Sequence, residues 1–169
     1  DAAALAPTAR AVAATGVEVR SVVVDLGRPD LLRALGPAVR DLEVGLLVYN
    51  AAIGTFSRFH DLAPAHMQAM LDVNCRGMLL LVHALAPAMV ARRRGGIVLL
   101  SSMSGSFGSE QLAVYAATKA FALVLGDALW AELRPQGVDV LVVQPGSTRT
   151  PGWQSSQPAE RQGPGSHVM

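Results

Sequence analysis

Tyr115 and Lys119 are the two residues whose types and spacing could transfer a proton together. Lys119 is the only lysine among 14 basic residues, and Tyr115 is one of two tyrosines. Residues four apart share one face of a helix, so a helix here would place a phenol beside an ammonium. The pKa of a free tyrosine is about 10, too high for a general base at neutral pH, and a nearby cation favours the phenolate. The pair therefore predicts an acid–base site in which Lys119 lowers the pKa of Tyr115.

Helices and strands that alternate along the chain must position this pair. Apolar patterns predict helices over 2–14, 31–39, 64–71, 74–93 and 114–133, and strands over 19–25, 44–50, 97–100 and 138–144. Because these strands are apolar at nearly every position, both faces of their sheet need cover. We expect an α/β fold with a doubly wound parallel sheet and helices on both faces, over residues 1–150. Residues 151–169 are polar and rich in proline and glycine, which predicts a poorly ordered tail.

Composition narrows the function classes. The chain has 169 residues, 51% of them hydrophobic and 16% charged, which predicts one domain, or part of one, with a large core. A net charge of +1 argues against a nucleic-acid surface. Cys75 is the single cysteine, which excludes an internal disulfide framework and favours a reducing cytoplasm. The four histidines lack metal-ligand spacing, so we expect no metal site.

Membrane insertion and export are not expected either. The most apolar run, 78–91, contains Pro87 and is flanked by arginines, which predicts a buried or subunit-facing helix. The first residues show no cationic start followed by an apolar block, so no signal peptide is predicted.

Polar residues follow each predicted strand at its carboxyl end. In open parallel sheets ligands bind beyond these ends, which predicts one site that combines the clusters. The clusters are Asp25, Asn50, Ser101-Ser102 and Pro145-Gly146.

These residues resemble the short-chain dehydrogenase/reductase family. Tyr115-Ala116-Ala117-Thr118-Lys119 matches its Tyr-x-x-x-Lys element, and Ser102, thirteen residues earlier, matches its serine. The likeness extends over about residues 1–150 in the family's order, through Asn50-Ala51-Ala52 (Asn-Ala-Gly in the family), Asn74, and Pro145-Gly146 with Thr150.

The resemblance implies a Rossmann-like fold and an oxidoreductase that moves a hydride between NAD or NADP and a secondary alcohol or ketone. In that family the tyrosine is the general acid or base, here Tyr115, and the lysine also holds the nicotinamide ribose. The serine, here Ser102, binds the substrate oxygen, and the asparagine, here Asn74, connects the lysine to a water chain. Ser101 is read as structural.

Cofactor contacts follow from the same resemblance. Asp25 with Leu26 corresponds to the adenine contact, although Asp25 could instead cap the following helix. Asn50 to Ala52 would line the adenosine ribose, although Asn50 could chiefly be a bracket between strands. The remaining cofactor candidates are Tyr115, Lys119, Pro145, Gly146, Thr148 and Thr150, and the substrate-contact candidates are Phe107, Gln111 and Trp153.

One part of the family pattern has no counterpart in these 169 residues. No Gly-x-x-x-Gly-x-Gly phosphate loop occurs, nor the strand–helix–strand unit that carries it. In the strand order 3-2-1-4-5-6 that unit lies between the strands predicted at 19–25 and 44–50. Either the chain is a fragment of a longer enzyme, or these two strands pair directly. The family's last strand, after Thr150, is also lacking.

A rival function is a truncated, non-catalytic relative that acts only in association. In the family the helices equivalent to 74–93 and 114–133 pack against a second subunit, which implies a homodimer or homotetramer with no nucleic-acid or membrane partner. An α/β-hydrolase is disfavoured because no Gly-x-Ser-x-Gly elbow occurs. The choice between NAD and NADP, the substrate and the reaction direction stay open.

Overall fold

The computed structural model describes residues 2–148 and 150. Its helices are α1 (Ala2–Ala13), α2 (Leu31–Val39), α3 (Pro64–Leu71), α4 (Met78–Ala91) and α5 (Ala113–Leu133). Its strands are β1 (Leu46–Tyr49), β2 (Gly95–Leu100) and β3 (Val138–Val143). Single 3-10 turns span Phe59–Asp61, Met103–Gly105 and Arg134–Gln136. The five predicted helices and three of the four predicted strands are present, with boundaries shifted by at most a few residues.

The three strands form one open parallel sheet in the order β1-β2-β3. Tyr49 lies opposite Leu99, and Leu99 lies opposite Val142. Since all three strands run the same way, their carboxyl ends meet at one edge of the sheet. The predicted α/β class with a parallel sheet is confirmed.

One face of the sheet carries the core. Ile97, Leu99, Val138 and Tyr49 are buried there among residues of α2, α4 and α5. Helix α5 comes close because Gly126 has no side chain: a Cβ there would lie 2.0 Å from Val142 Cγ2. Burying these side chains is the main stabilising contribution, at about 25 cal/mol per Å² of apolar surface removed from water.

The opposite face has less cover among the described residues. Leu46 and Val48 on β1 and Leu141 on β3 each keep more than half of their surface exposed. Helix α1 has no buried residue, so it adds no layer to the core. Alternating burial along β1 and β3 is therefore the pattern of a sheet packed on one side.

The strand predicted over 19–25 is wrong, because no residue of this segment is in a strand. Val22 and Val23 are exposed, and Arg20 is held by side-chain hydrogen bonds to Glu18 and Asp41. A β-branched run fits a pleated surface only where a neighbouring strand satisfies its backbone groups. The direct pairing of 19–25 with β1 does not occur in the described part of the chain.

Helices α3 and α4 are joined without a break by a π-helical turn, Asp72–Gly77. The sequence predicted two separate helices, the second starting at residue 74, so the join is a correction. A π turn holds one extra residue in the helical path, and such turns are frequent at functional sites. Here the turn contains Asn74, which is buried.

Two helical stretches, Pro64–Ala91 and Ala113–Gln136, are long and apolar enough to cross a membrane by length and composition alone. Core helices of soluble proteins pass the same test, and both stretches here contribute buried residues to the cluster beneath the sheet. Their packing explains the buried part of this apolar composition.

Candidate active site

Lys119 lies on α5 beneath the carboxyl end of β2, and only 4% of it is exposed. Its Nζ donates a hydrogen bond of 2.8 Å to the carbonyl oxygen of Leu100, the last residue of β2. Within the described residues no carboxylate forms an ion pair with this ammonium. The side chain is therefore a buried cation at the edge where the strands end.

Tyr115 stands one turn before Lys119 on the same face of α5, as the spacing predicts. The Lys119 Nζ lies 5.7 Å from the centroid of the Tyr115 ring. Ser102 lies in the loop after β2, where its hydroxyl is close enough to the Tyr115 phenol to oppose the rise of the phenol pKa. The structure thus brings Tyr115, Lys119 and Ser102 together.

Ser101 and Ser102 make different contacts. Ser101 is buried and donates a 2.8 Å hydrogen bond from Oγ to the carbonyl oxygen of Lys119, which fixes α5 against the end of β2. Ser102 Oγ accepts a hydrogen bond from the Ser104 backbone N–H at 3.2 Å, which begins the 3-10 turn after β2.

Asn74 lies in the π turn, is only 1% exposed, and joins this turn to the loop after β1 and to helix α5. Its Nδ2 donates to the Ile53 carbonyl oxygen at 2.8 Å and to Thr118 Oγ1 at 2.9 Å, while its Oδ1 accepts from the Ile53 N–H at 2.9 Å. Thr118 Oγ1 in turn donates to the Tyr115 carbonyl oxygen at 2.8 Å. Asn74 therefore fixes the loop after β1 against α5.

Burial moves both titrating groups towards their neutral forms. Desolvation lowers the pKa of Lys119 from 10.5 to about 8. Desolvation also raises the pKa of Tyr115, and the neighbouring Ser102 hydroxyl only partly offsets this rise. The predicted lowering of the Tyr115 pKa by Lys119 is wrong for this structure, because burial raises that pKa and the Lys119 ammonium donates to the Leu100 carbonyl oxygen.

The predicted cofactor residues in the loops after β1 and β3 follow those strands at their carboxyl ends. Asn50, Ala51 and Ala52 follow β1, and Pro145, Gly146, Thr148 and Thr150 follow β3. The Met103 N–H donates to the Pro145 carbonyl oxygen at 3.1 Å, which joins the loops after β2 and β3. The Asn50 side chain is exposed and bonds to no other described residue, so the strand-bracket reading is not seen.

Asp25 has neither of its two predicted settings, the end of a strand or the cap of a helix. It ends no strand, and its Oδ1 accepts a hydrogen bond from the Gly27 N–H at 2.9 Å, which makes a local turn rather than a helix cap. Helix α2 begins after Asp30. The turn of Asp25 and Leu26 is held beside the π turn by Arg76, which bonds to the Gly27 carbonyl oxygen and to Asp72.

Two of the substrate-contact candidates are described. Phe107 is exposed in the loop after β2, and Gln111 lies just before α5 with a φ of 63°, a left-handed conformation that non-glycine residues rarely adopt. The Gln111 carbonyl oxygen accepts a hydrogen bond from the Ser57 N–H at 3.0 Å. Trp153 lies outside the described residues.

Sequence reasoning missed Thr118, Ile53 and Arg76 as parts of the site. Thr118 offered one signal, because it is a hydroxyl residue between Tyr115 and Lys119, which a helix places near both. Ile53 acts through its backbone, which no side-chain pattern reveals. Arg76 gave no signal, since its partners are distant in sequence.

Comparison with known proteins agrees with this geometry. A family model described as short chain dehydrogenase matches residues 1–161. The 7beta-hydroxysteroid dehydrogenase of Collinsella aerofaciens is 32% identical over 148 residues, which cover 88% of this chain and 56% of that protein. The chain thus spans little more than half the length of this relative.

Solved structures show the same likeness. A 7beta-hydroxysteroid dehydrogenase structure superposes with a TM-score of 0.82 and 31% identity, over 92% of this chain and 62% of that chain. A short-chain dehydrogenase from Sphingobium yanoikuyae in complex with NADPH gives a TM-score of 0.78 and 32% identity, over 83% of this chain and 56% of that chain. By its fold and its family match, this chain belongs to the short-chain dehydrogenase family.

Proposed function

We propose that this chain carries the proton-transfer half of an NAD(P)-dependent oxidoreductase that interconverts a secondary alcohol and a ketone. The observation that carries the proposal is the meeting of Tyr115, Lys119 and Ser102 at the carboxyl edge of a parallel sheet. In this proposal Tyr115 is the general acid or base, Ser102 binds the substrate oxygen, and Lys119 and Asn74 support them. The NADPH complex of the Sphingobium yanoikuyae relative supports a nicotinamide cofactor.

The residues present fit the nicotinamide end of such a cofactor. Lys119 keeps two N–H donors beyond its bond to Leu100, and no described acid neutralises it, so it can bind the hydroxyls of a ribose. The loops after β1 and β3 flank it with Asn50 to Ala52 and Pro145 to Thr150, which are the proposed contacts. Asp25 and Leu26 are proposed adenine contacts only through their family positions.

The phenol and the serine hydroxyl supply the acid–base chemistry. The cofactor, when bound, supplies or accepts the hydride at the carbinol carbon. In ketone reduction Tyr115 gives its phenolic proton to the oxygen as the C–H bond forms, and Ser102 stabilises the negative charge that develops there. The phenol is protonated at neutral pH, so it holds the proton that it donates. Alcohol oxidation reverses each transfer.

Replacement of Tyr115 by Phe tests this mechanism. The variant removes one hydroxyl and keeps the ring, so we expect turnover of ketones with NADH or NADPH to fall by about 10²- to 10⁴-fold, the range that general acid–base catalysis contributes. A matched control is Tyr49→Phe, because the Tyr49 hydroxyl bonds to the Val73 carbonyl oxygen, away from the Tyr115 ring. Unchanged turnover in Tyr115→Phe would refute the proposed role.

Cofactor binding is tested separately from chemistry. NADH and NADPH are titrated into the 169-residue chain while nucleotide fluorescence and thermal unfolding are followed. Saturable binding by one nucleotide supports the proposal and selects the cofactor, whereas absence of binding by both contradicts a working cofactor site in the chain as given. Substitution of Lys119 by Met removes the ribose-binding cation and is expected to weaken that binding.

Association through α4 and α5 is a second proposal, compatible with either an active enzyme or the non-catalytic relative. Leu79 on α4 and Val124 and Trp130 on α5 are exposed apolar residues, and Val124 is 71% exposed. Two copies that pack these helices together would remove this surface from water. A homodimer or homotetramer in the cytoplasm is the assembly and location that we propose.

A further inference from the structure

The backbone of Gly54 lies against the ring of Tyr115. A Cβ added to Gly54 would stand 2.7 Å from Tyr115 Cδ2 and 3.0 Å from Cε2. Both distances are far below the ordinary van der Waals contact of two carbon atoms. The ring therefore occupies space that any side chain at position 54 would need.

The conformation of Gly54 does not explain why a glycine stands here. Its φ lies outside the left-handed region, unlike those of Gly16 and Gly137. Gly54 is also exposed, so no buried core forces a small residue. The contact with Tyr115 is the remaining reason.

The loop that carries Gly54 is tethered on both sides. Ile53 exchanges two backbone hydrogen bonds with the Asn74 side chain, and the Ser57 N–H donates to the Gln111 carbonyl oxygen at the start of α5. Asn74 is itself buried and bonded to Thr118. Because the loop cannot retreat without breaking these bonds, an added side chain would displace the ring.

We propose that Gly54 is a positioning residue for the Tyr115 phenol, setting the place of the ring by the absence of a side chain. The ring lies against this backbone. Its link to proton transfer rests on the proposed function, but the steric role of Gly54 does not. A larger residue moves the phenol away from the substrate oxygen, and a misplacement of about 1 Å can cost about 10²-fold in rate.

A double-mutant cycle in thermal unfolding tests the contact without any activity. We expect Gly54→Ala to lower the Tm by about 5 °C in the natural sequence, because the added methyl group overpacks the contact, and to have little effect in a Tyr115→Ala background. Gly108→Ala is the control, because a Cβ there meets nothing within 4 Å. Equal effects of Gly54→Ala in both backgrounds would overturn the proposal.

A Gly54→Ala variant that fails to fold would also test the contact with Tyr115. If Gly54→Ala does not fold, restoration of folding in the Gly54→Ala/Tyr115→Ala double variant supports the contact. A double variant that also fails to fold overturns it.

Titration of the phenols distinguishes positioning from a general structural defect. The chain has two tyrosines, and burial raises the pKa of both, that of Tyr49 to about 12. Phenolate absorbance should show the Tyr115 midpoint moving towards its ordinary value in Gly54→Ala, with the Tyr49 midpoint and the Gly108→Ala control unchanged. No movement of the Tyr115 midpoint overturns the proposal.

Kinetics then connect the position to function. We expect kcat to fall by about 10²-fold in Gly54→Ala with an unchanged Kd for the nucleotide, since Lys119 keeps its place on Leu100. If Tyr115→Phe leaves turnover intact, the proposed function fails while the unfolding cycle and the titration still decide the role of Gly54.

Discussion

Replacement of Lys119 by Met is expected to stabilise the fold while removing a proposed cofactor contact. The buried ammonium bonds to one carbonyl oxygen and forms no ion pair with a described acid. Its pKa falls from 10.5 to about 8, and each pKa unit corresponds to about 1.4 kcal/mol, so keeping the charge in the fold costs about 3 kcal/mol at neutral pH. Loss of the hydrogen bond to Leu100 lowers the stability by about 1 kcal/mol, which offsets part of this gain. The net gain is about 2 kcal/mol, or roughly 4–8 °C in Tm.

The sign of the pH dependence follows from the direction of the shift. The unfolded chain holds the Lys119 proton more tightly than the folded chain, so stability rises with pH between about 8 and 10.5 as the fold releases it. Above about pH 10 the raised phenol pKa values act the other way, because the unfolded chain ionises first. Burial also raises the pKa of the Cys75 thiol, which acts in the same direction as the phenols but within the window of pH 7.5–9.5. The Lys119 contribution is therefore the difference in Tm between the natural chain and Lys119→Met over that window, since both contain Cys75.

Two assays check this prediction. Because Lys119 is the only lysine, a sample labelled with 15N-lysine gives one side-chain signal, which should titrate with a midpoint near 8. Thermal unfolding of the natural chain should show Tm rising over the window of pH 7.5–9.5. Lys119→Met should lack that rise and be more stable at pH 7.5.

Lys119→Arg is the matched control for the charge. Arginine stays protonated throughout the window, so Lys119→Arg should also lack the rise in Tm, but it should be less stable than Lys119→Met. A natural chain whose Tm does not rise relative to that of Lys119→Met across the window, or a Lys119→Met variant that unfolds earlier at pH 7.5, would refute the reasoning from burial.

Two further predictions concern helix α5. Gly126→Ala should lower the free energy of unfolding by about 2–3 kcal/mol, because the added Cβ would overlap Val142. Thermal unfolding compares it with Gly36→Ala, which should have no such effect because a Cβ there meets nothing within 4 Å. Val124→Glu places a charge on the exposed face of α5, so it should shift the chain from dimer or tetramer to monomer in size-exclusion chromatography. The control Val23→Glu changes an exposed valine outside α4 and α5 and should leave the assembly unchanged. A natural chain that is monomeric at high concentration contradicts the proposed association.

The sequence alone predicted the chemistry and most of the elements. A four-residue spacing on a periodic helix is enough to place Tyr115 and Lys119 on one face, because helical geometry is local. Apolar runs likewise predicted β1, β2 and β3, since a strand buried between neighbours needs apolar residues. The bounds 1–150 for the domain and 151–169 for a tail stay predictions.

Only the tertiary structure decided what depends on neighbours distant in sequence. Residues 19–25 have the composition of a strand but no partner, and a strand requires one. Burial of Lys119 and Tyr115 reversed the expected direction of the Tyr115 pKa, because desolvation depends on everything packed around a group. The π turn at Asn74, the tethered Ile53 and the contact of Gly54 with the phenol arise from backbone atoms brought together by the fold, which no pattern of side chains along the chain can specify.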